Sequence, residues 1–412
     1  MSRLKYLTAT LSLLLVIIPS TALLAQSGGN LISESSAGNF FGIGARAVGM
    51  SEAVVVSAMD GTAIVYNPAG LVRIKRPEFF GALSQEKVGE ATGNANNDFR
   101  KTRLNGLDLS VPVPTYRGSL VVAFGVNRTK SFDRTFAYDY TTSNAVEEAM
   151  GGIDEWSAAG ALELSPRLAV GATLTYYHGT ENYSWNFNAH GLEPGDVPYQ
   201  NLDNINSHYS AIGARLGMTL EPNPYLTLGF TLDAPTRFNI KQDYILRTIG
   251  GSNADEVDGN YEYDLQHPFL FNGGAAIRIK TLLLEADLGY ADWSQLEYKG
   301  GSDLDSLNQL LQKAYTDAFQ YRFGAEWTIP QYSIVLRGGF KHDPLPISGI
   351  QMYNQIEKNR NSFSFGMGFL VDRLVMLDIA YARANYTIFD GTRNLSQKYT
   401  SDRVLASIGY RI

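Results

Sequence analysis

From about residue 77 to the end, the chain repeats one pattern: segments of roughly ten residues that alternate apolar with small or polar side chains. A strand with lipid on one face and water on the other needs this period of two. In the last segment Val404, Ala406, Ile408, Tyr410 and Ile412 share one face, and Arg403, Ser407, Gly409 and Arg411 share the other. Before it, Val375, Leu377, Ile379 and Tyr381 oppose Asp378, Ala380 and Ala382. The alternation places strands near 77–86, 103–113, 117–128, 154–165, 167–179, 207–220, 225–239, 262–279, 281–293, 318–329, 332–342, 361–371, 374–386 and 402–412. These are fourteen, an even number as a single-chain bacterial barrel requires.

The connections alternate in length. Short ones are Pro114-Thr-Tyr116, Ser165-Pro166, Glu221-Pro-Asn-Pro224, Lys280, Pro330-Gln331 and Asp372-Arg373. Long ones cover about 87–102, 129–153, 180–206, 240–261, 294–317, 343–360 and 387–401. Periplasmic turns are short and extracellular loops long, so both barrel ends belong on the periplasmic side. A soluble β-sandwich also alternates, but it would not leave large apolar faces outward with aromatics at their ends, such as Tyr290, Trp293, Tyr321, Trp327 and Tyr386. Such rings suit a membrane interface. The chain ends on Ile412, where outer-membrane barrels more often end on Phe or Trp.

The first 25 residues read as a secretory signal. Arg3 and Lys5 form a basic start, Leu11–Ile18 an apolar core, and Ser20–Ala25 a small-residue cleavage region, with the cut expected after Ala25. No later run offers the 18 or more apolar residues of a membrane helix, so residence in a membrane requires a β-barrel. The 41 acidic and 34 basic side chains give no basic stripe for nucleic acid. Zero Cys excludes disulfides, thiolate zinc sites and a cysteine nucleophile. The five His residues lack metal-site spacing, and neither a hydrolase motif nor a nucleotide-binding loop is visible. The reading is therefore of a non-enzyme with no cofactor and no metal.

Residues 26–76 break the strand pattern. Small residues dominate from Gly38 to Leu71, and fourteen strands enclose a lumen wider than wall side chains alone fill. This stretch is expected to be a hatch inside the lumen, with residues 77–412 forming the barrel. The fold class is thus all-β, a 14-stranded antiparallel transmembrane barrel with an N-terminal hatch.

Three stretches resemble the FadL-type outer-membrane transporters of long-chain fatty acids and other hydrophobic compounds. Gly44-Ala-Arg-Ala-Val-Gly-Met50, Asp60 and Asn67-Pro-Ala-Gly-Leu71 look like the family's hatch; Gly44, Arg46, Gly49, Asp60, Asn67, Pro68 and Ala69 carry the match. Leu284–Ser294 is similar to a family strand ending in Trp-Ser, here Trp293-Ser294. Tyr321–Trp327 and Leu336–Pro346 complete the likeness. Two positions depart: Glu52 stands where the family packs a glycine, and Met59 replaces an acid commonly beside Asp60.

The resemblance implies a Gram-negative outer-membrane channel that takes up a hydrophobic small molecule by passive diffusion, holds it above the hatch and releases it sideways into membrane lipid. The third strand contains Gly125, and glycine inside a strand marks a bend or simply a small lumen-facing residue. Strand phase turns Arg215, Arg278, Arg322, Arg337 and Lys341 inward, along with Asp108, Glu163, Asp233, Glu285, Asp287, Glu326 and Asp378. The near balance of signs favours internal pairing and hatch anchoring; Arg322 and Arg337, on neighbouring strands, are the candidates for a ligand carboxylate. Leu304, Leu307, Leu311 and Tyr315 share a helical face that would cap the mouth. Loop 180–206 holds Tyr183, Trp185, Phe187 and Tyr199, which suit an apolar entrance or loop packing. The barrel is expected to be monomeric. Two other readings stand beside transport: a general diffusion porin, and a FadL-like barrel serving as the attachment or shuttle component of a protein secretion system.

Overall fold

The computed structural model describes residues 40–92, 95–139, 143–189, 198–250, 255–300, 304–347, 354–356, 359–371, 374–390 and 395–412. The expected signal peptide, 1–25, and the first part of the expected hatch lie outside the described residues.

The described hatch holds two short helices, α1 (Ala45–Gly49) and α2 (Ala63–Tyr66), and a 3-10 segment, Pro68–Arg73. The strands follow in a single antiparallel sheet: β1 (Glu78–Thr92), β2 (Ala95–Val113), β3 (Leu120–Ser131), β4 (Arg134–Asp139), β5 (Ser143–Ser165) and β6 (Leu168–Ala189). Next come β7 (Tyr199–Asn223), β8 (Leu226–Asp233), β9 (Arg237–Gly250), β10 (Asp255–Gln266), β11 (Leu270–Ile279), β12 (Leu282–Asp292) and β13 (Glu297–Lys299). After helix α3 (Asp305–Ala314) run β14 (Asp317–Ile329), β15 (Ile334–His342), β16 (Asn354–Ile356), β17 (Asn361–Val371), β18 (Val375–Asp390) and β19 (Leu395–Arg411).

These segments build fourteen staves. β3 and β4 both pair with β5, β8 and β9 both pair with β7, and β10 and β11 continue one stave against β9 and β8. β13 and β16 are short additions to β10 and β18. The ladder closes where β1 meets β19, from Glu78↔Arg411 to Thr92↔Gln397. Closure leaves no open edge, which hydrocarbon would not tolerate.

The phase read from the sequence holds over most of the wall but not at Trp293, expected outward among the interface aromatics and buried instead in the lumen, because the chain leaves the strand at Asp292. Val404, Ile408, Tyr410 and Ile412 are exposed on the outer face, while Arg403 and Ser407 are buried inward. The long connections need correction. Residues 180–206 are largely ladder, because β6 and β7 stay paired as far as Ala189↔Tyr199. Most of 87–102, 129–153, 240–261 and 387–401 is likewise strand. Above the lipid the outer face need not be apolar, so the outward residues turn polar, as Ser184 and Asn186 do between Tyr183, Trp185 and Phe187, while backbone pairing continues. Tyr183 and Trp185 are accordingly wall residues, packed inward with Ala145, Ala149 and Ile205.

Two apolar clusters fill the lumen. The lower one joins hatch residues such as Ile43, Met50, Val54, Ile64 and Leu71 to small wall residues, among them Ala123, Ala159 and Ala169. The upper one gathers Phe238, Tyr263, Trp293 and Tyr298 under α3, whose Leu311 is fully buried. Leu304 and Tyr315 enter the same cluster, so the expected helix caps the mouth; the Leu307 side chain lies outside the described residues. Asp305 in the first turn and Lys313 in the last complement the helix dipole.

Candidate functional site

The hatch is held by wall carboxylates and by close backbone approach. Val55 and Val56 donate their amides to Asp287 at 2.9 Å and Glu285 at 2.7 Å, and Gly61 donates to Glu78 at 2.9 Å. Strand phase had turned Glu285 and Asp287 inward; they satisfy hatch amides that have no helical partner. Gly44 opens α1 in the left-handed region, φ 76°, where a Cβ would lie 2.8 Å from Thr62 Cγ2. A Cβ on Gly49 would lie 3.1 Å from the Cα of Gly366 in β17. Asp60 accepts from the Thr62 amide at 3.0 Å. Asn67 is fully buried; its amide nitrogen donates to Val55 O at 2.7 Å and Met218 O at 3.2 Å, and its oxygen accepts from Ala69 N at 3.1 Å. Pro68 occupies the first position of the 3-10 segment, where a missing N–H costs nothing.

A buried ion chain crosses from hatch to wall. Arg46 Nε meets Glu326 Oε2 at 2.9 Å, Arg337 Nε meets the same oxygen at 2.8 Å, and Arg337 Nη1 meets Asp378 at 2.6 Å. Burial opposes the charge on Arg46, but Glu326 and Asp60 outweigh it and raise its pKa. Glu52, the departure noted in the sequence, has φ 64°, which explains the family's glycine. Its carboxylate compensates by pairing with Lys341 at 2.8 Å and lying 3.8 Å from Arg403. Lys341 also contacts Asp343, which binds Arg360 at 2.5 Å.

Above the hatch lies a cavity of about 130 Å³. Val55, Val65 and Tyr66 form its floor, and Tyr177, Phe238, His267 and Trp293 its wall. Ring centroids are 5.3 Å apart for Tyr177–Phe238, 4.7 Å for Phe238–His267 and 5.4 Å, edge to face, for His267–Trp293. Arg322 lies on the rim with Asn272 and Gln320. It donates to Asn272 Oδ1 at 3.2 Å and to Gln320, while its Nε is buried with no hydrogen-bond partner among the described residues. Arg215 also lines the cavity but is paired with Asp233 and the Val65 carbonyl.

The structure thus separates the two arginine candidates. Arg337 is committed to Glu326 and Asp378 outside the cavity lining, whereas Arg322 lies on it. Arg278 is exposed near the short turn at Lys280. Sequence reasoning missed Tyr177, Phe238 and His267. Phe238 and His267 lie beside breaks at Ala234–Thr236 and 267–269, where two staves split and strand phase is lost; Pro235 and Pro268 are the only signals.

At Gly125 the ladder is unbroken, pairing Asp108 and Ser157 on either side, and the register shift falls later, between Arg128 and Lys130. The Asp108 carboxylate occupies the space a Gly125 side chain would take, held by Asn127 Nδ2 at 2.6 Å. Among the described residues, Asp108 Oδ2, Ser110 Oγ and Asn127 Oδ1 are buried without hydrogen-bond partners. Outside, an apolar groove of about 580 Å³ runs past Phe124, Trp156, Leu174 and Ile212 and reaches Asp108 and Gly125.

A closed barrel of fourteen strands, stoppered by its own N-terminal segment and lined with a ring-walled cavity, defines a hatched outer-membrane channel. The chain belongs to the family described as "Outer membrane protein transport protein (OMPP1/FadL/TodX)", which matches residues 18–400. Among solved structures it is similar to a Pseudomonas aeruginosa FadL homologue, with TM-score 0.68 and 13% identity over 91% of this chain and 100% of that one. It is also similar to the Ralstonia pickettii toluene transporter TbuX, with TM-score 0.61 and 14% identity over 90% and 98% of the two chains. The P. putida toluene transporter TodX gives TM-score 0.61 and 13% identity over 90% and 99%. Direct comparison with curated protein sequences finds no match. The chain thus has the fold of this family's outer-membrane transporters of hydrophobic compounds, and the family's members are transport channels, not enzymes.

Proposed function

We propose that this barrel takes up long-chain fatty acids or similar hydrophobic compounds by passive diffusion, holding one in the cavity above the hatch and releasing it sideways through the wall near Gly125. The observation that carries the proposal is the cavity itself: aromatic walls, an aliphatic hatch floor and Arg322 at its edge. An apolar cavity of about 150 Å³ holds a benzene ring, so about 130 Å³ suits one compact ring or the leading part of a longer chain. A carboxylate headgroup would find Arg322, whose Nε has no hydrogen-bond partner among the described residues. The toluene transporters among its structural relatives support a hydrophobic ligand of this size. The apolar groove outside Gly125 supports a lateral route, since a ligand leaving there enters hydrocarbon directly.

The test is mass spectrometry of small molecules co-purified in mild detergent, on the wild type and on Ala318→Trp, which fills the cavity. A fatty acid or hydrocarbon present in the wild type and lost from the variant supports the reading. An empty barrel that co-purifies with a stoichiometric protein supports the secretion alternative instead.

A further inference from the structure

The exposed charges at the two ends of the barrel differ. At the end with the short turns and both ends of the sheet, Lys75, Arg76, Arg117, Arg167, Arg278 and Lys280 are exposed. Of these, Lys75 alone has a carboxylate nearby, Glu163 at 3.9 Å; the other five enter no ion pair among the described residues. Among the described residues the acids Glu78, Glu221 and Glu163 there are engaged, with Arg411 at 2.7 Å, Arg73 at 4.0 Å and Lys75 at 3.9 Å. At the opposite end Arg237 pairs with Asp264, Lys241 with Glu262 and Arg247 with Glu256, while exposed Arg100 and Lys398 enter no ion pair among the described residues. Among the described residues of a chain of net charge −7, unpaired exposed bases are thus denser on this rim, five against two at the other end.

The same rim carries exposed tyrosines at three turn tips: Tyr116 beside Arg117, Tyr225, and Tyr332. The Tyr225 carbonyl accepts from the Arg278 amide at 2.9 Å, which sets this ring on the stave next to Arg278 and Lys280. A tyrosine tip exposed beside a guanidinium offers an apolar ring for the acyl boundary and donors for a phosphate. Immediately above the rim begins the apolar outer band, with Val113, Leu162, Ile279 and Ile412 exposed. The rim thus falls at the depth where phospholipid headgroups meet the hydrocarbon.

We infer that this periplasmic rim is a binding surface for anionic phospholipid headgroups of the leaflet facing the periplasm. The inference does not depend on what the lumen transports. Six basic side chains around one circumference complement a negatively charged leaflet.

The test uses the full chain purified in detergent and exchanged into mixed micelles of phosphatidylcholine and phosphatidylglycerol. Native mass spectrometry then reads the lipids retained. The wild type is expected to retain phosphatidylglycerol preferentially. The triple variant Arg117→Gln, Arg167→Gln, Lys280→Gln should lose about tenfold or more of that preference, while Lys241→Gln with Arg247→Gln at the other end should leave it unchanged. Heat-modifiable migration on a gel checks that each variant remains a folded barrel. Equal retention of the two lipids by the wild type, or an unaltered preference in the triple variant, overturns the proposal. So does stripping of the preference by excess inorganic phosphate, which would mark a site for free phosphate. An acidic periplasmic protein captured by the rim with no lipid preference would overturn it as well.

Discussion

Arg46 of the hatch and Glu326 of β14 meet at 2.9 Å although 280 residues separate them in sequence. Glu326 is shared with Arg337, which also pairs with Asp378, so two carboxylates face two buried guanidiniums. Glu326→Gln keeps the shape and removes the charge. Breaking a buried pair from one side costs about 3–5 kcal/mol, and the expected outcome is a lower midpoint of heat-modifiable unfolding in detergent. A double change of Arg46 to Met and Glu326 to Leu should recover part of that loss. No recovery would mean the hatch needs this contact for orientation as well as neutrality.

Asn67 joins three backbone strangers: Val55 in the hatch, Met218 in β7 and Ala69 in its own turn. Asn67→Ala removes the cap and strands two buried carbonyls, at a cost of about 1–3 kcal/mol. The measurement is hydrogen exchange, which should accelerate in residues 63–73 and leave β17 to β19 unchanged. Uniform acceleration would count against a local role.

Asp343 lies past the end of β15, outside the spanning ladder. Burial pushes its carboxyl up, but Arg360 and Lys341 more than offset this and hold it at about 2, below the ordinary 3.8. A depressed carboxylate stabilises the fold above its unfolded value and loses that contribution as pH falls from about 4 to about 2. The Lys341–Asp343–Arg360 clamp should therefore loosen in that window, by on the order of 2 kcal/mol. Tryptophan fluorescence followed from pH 5 to pH 2 should show a change that Asp343→Asn flattens.

Arg322 separates ligands by headgroup. If a carboxylate docks on it, Arg322→Met should weaken binding of a fatty acid about tenfold, the loss of one charged hydrogen bond, and leave toluene binding within twofold. Isothermal titration with both ligands reads the difference. Equal losses would place Arg322 in support of the cavity wall.

Gly125 tests the lateral route. A side chain there must displace the Asp108 carboxylate and would project toward the lumen between β2 and β5. Gly125→Leu is expected to slow uptake of a radiolabelled hydrophobic compound severalfold while ligand still binds. Unchanged uptake would move the exit elsewhere.

What could be read from the sequence, and what could not, follows from what each feature depends on. Lipid forces Val404, Ile408 and Tyr410 to one side and Arg403 and Ser407 to the other, so stave number and phase were visible. Glu326 and Asp378 could be placed inward by the same parity, though not their partners, because pairing across Arg337 depends on stave adjacency and rotamer. The heights of β6 and β7 were hidden, since above the membrane Asn186, Asn188 and Gln200 satisfy the ladder without any apolar alternation. The cavity was the least visible. Phe238 and His267 belong to interrupted staves, and their meeting with Trp293 comes from closure of the whole cylinder.

β7 contains 25 residues and β6 22, while β15 contains nine. At about 3.3 Å per residue and a tilt near 40°, β7 climbs roughly 60 Å, against an apolar band of about 25 Å. One flank of the molecule therefore rises like a parapet some tens of ångströms over the bilayer. The entrance to the lumen on that side is thus walled by protein well beyond the reach of acyl chains.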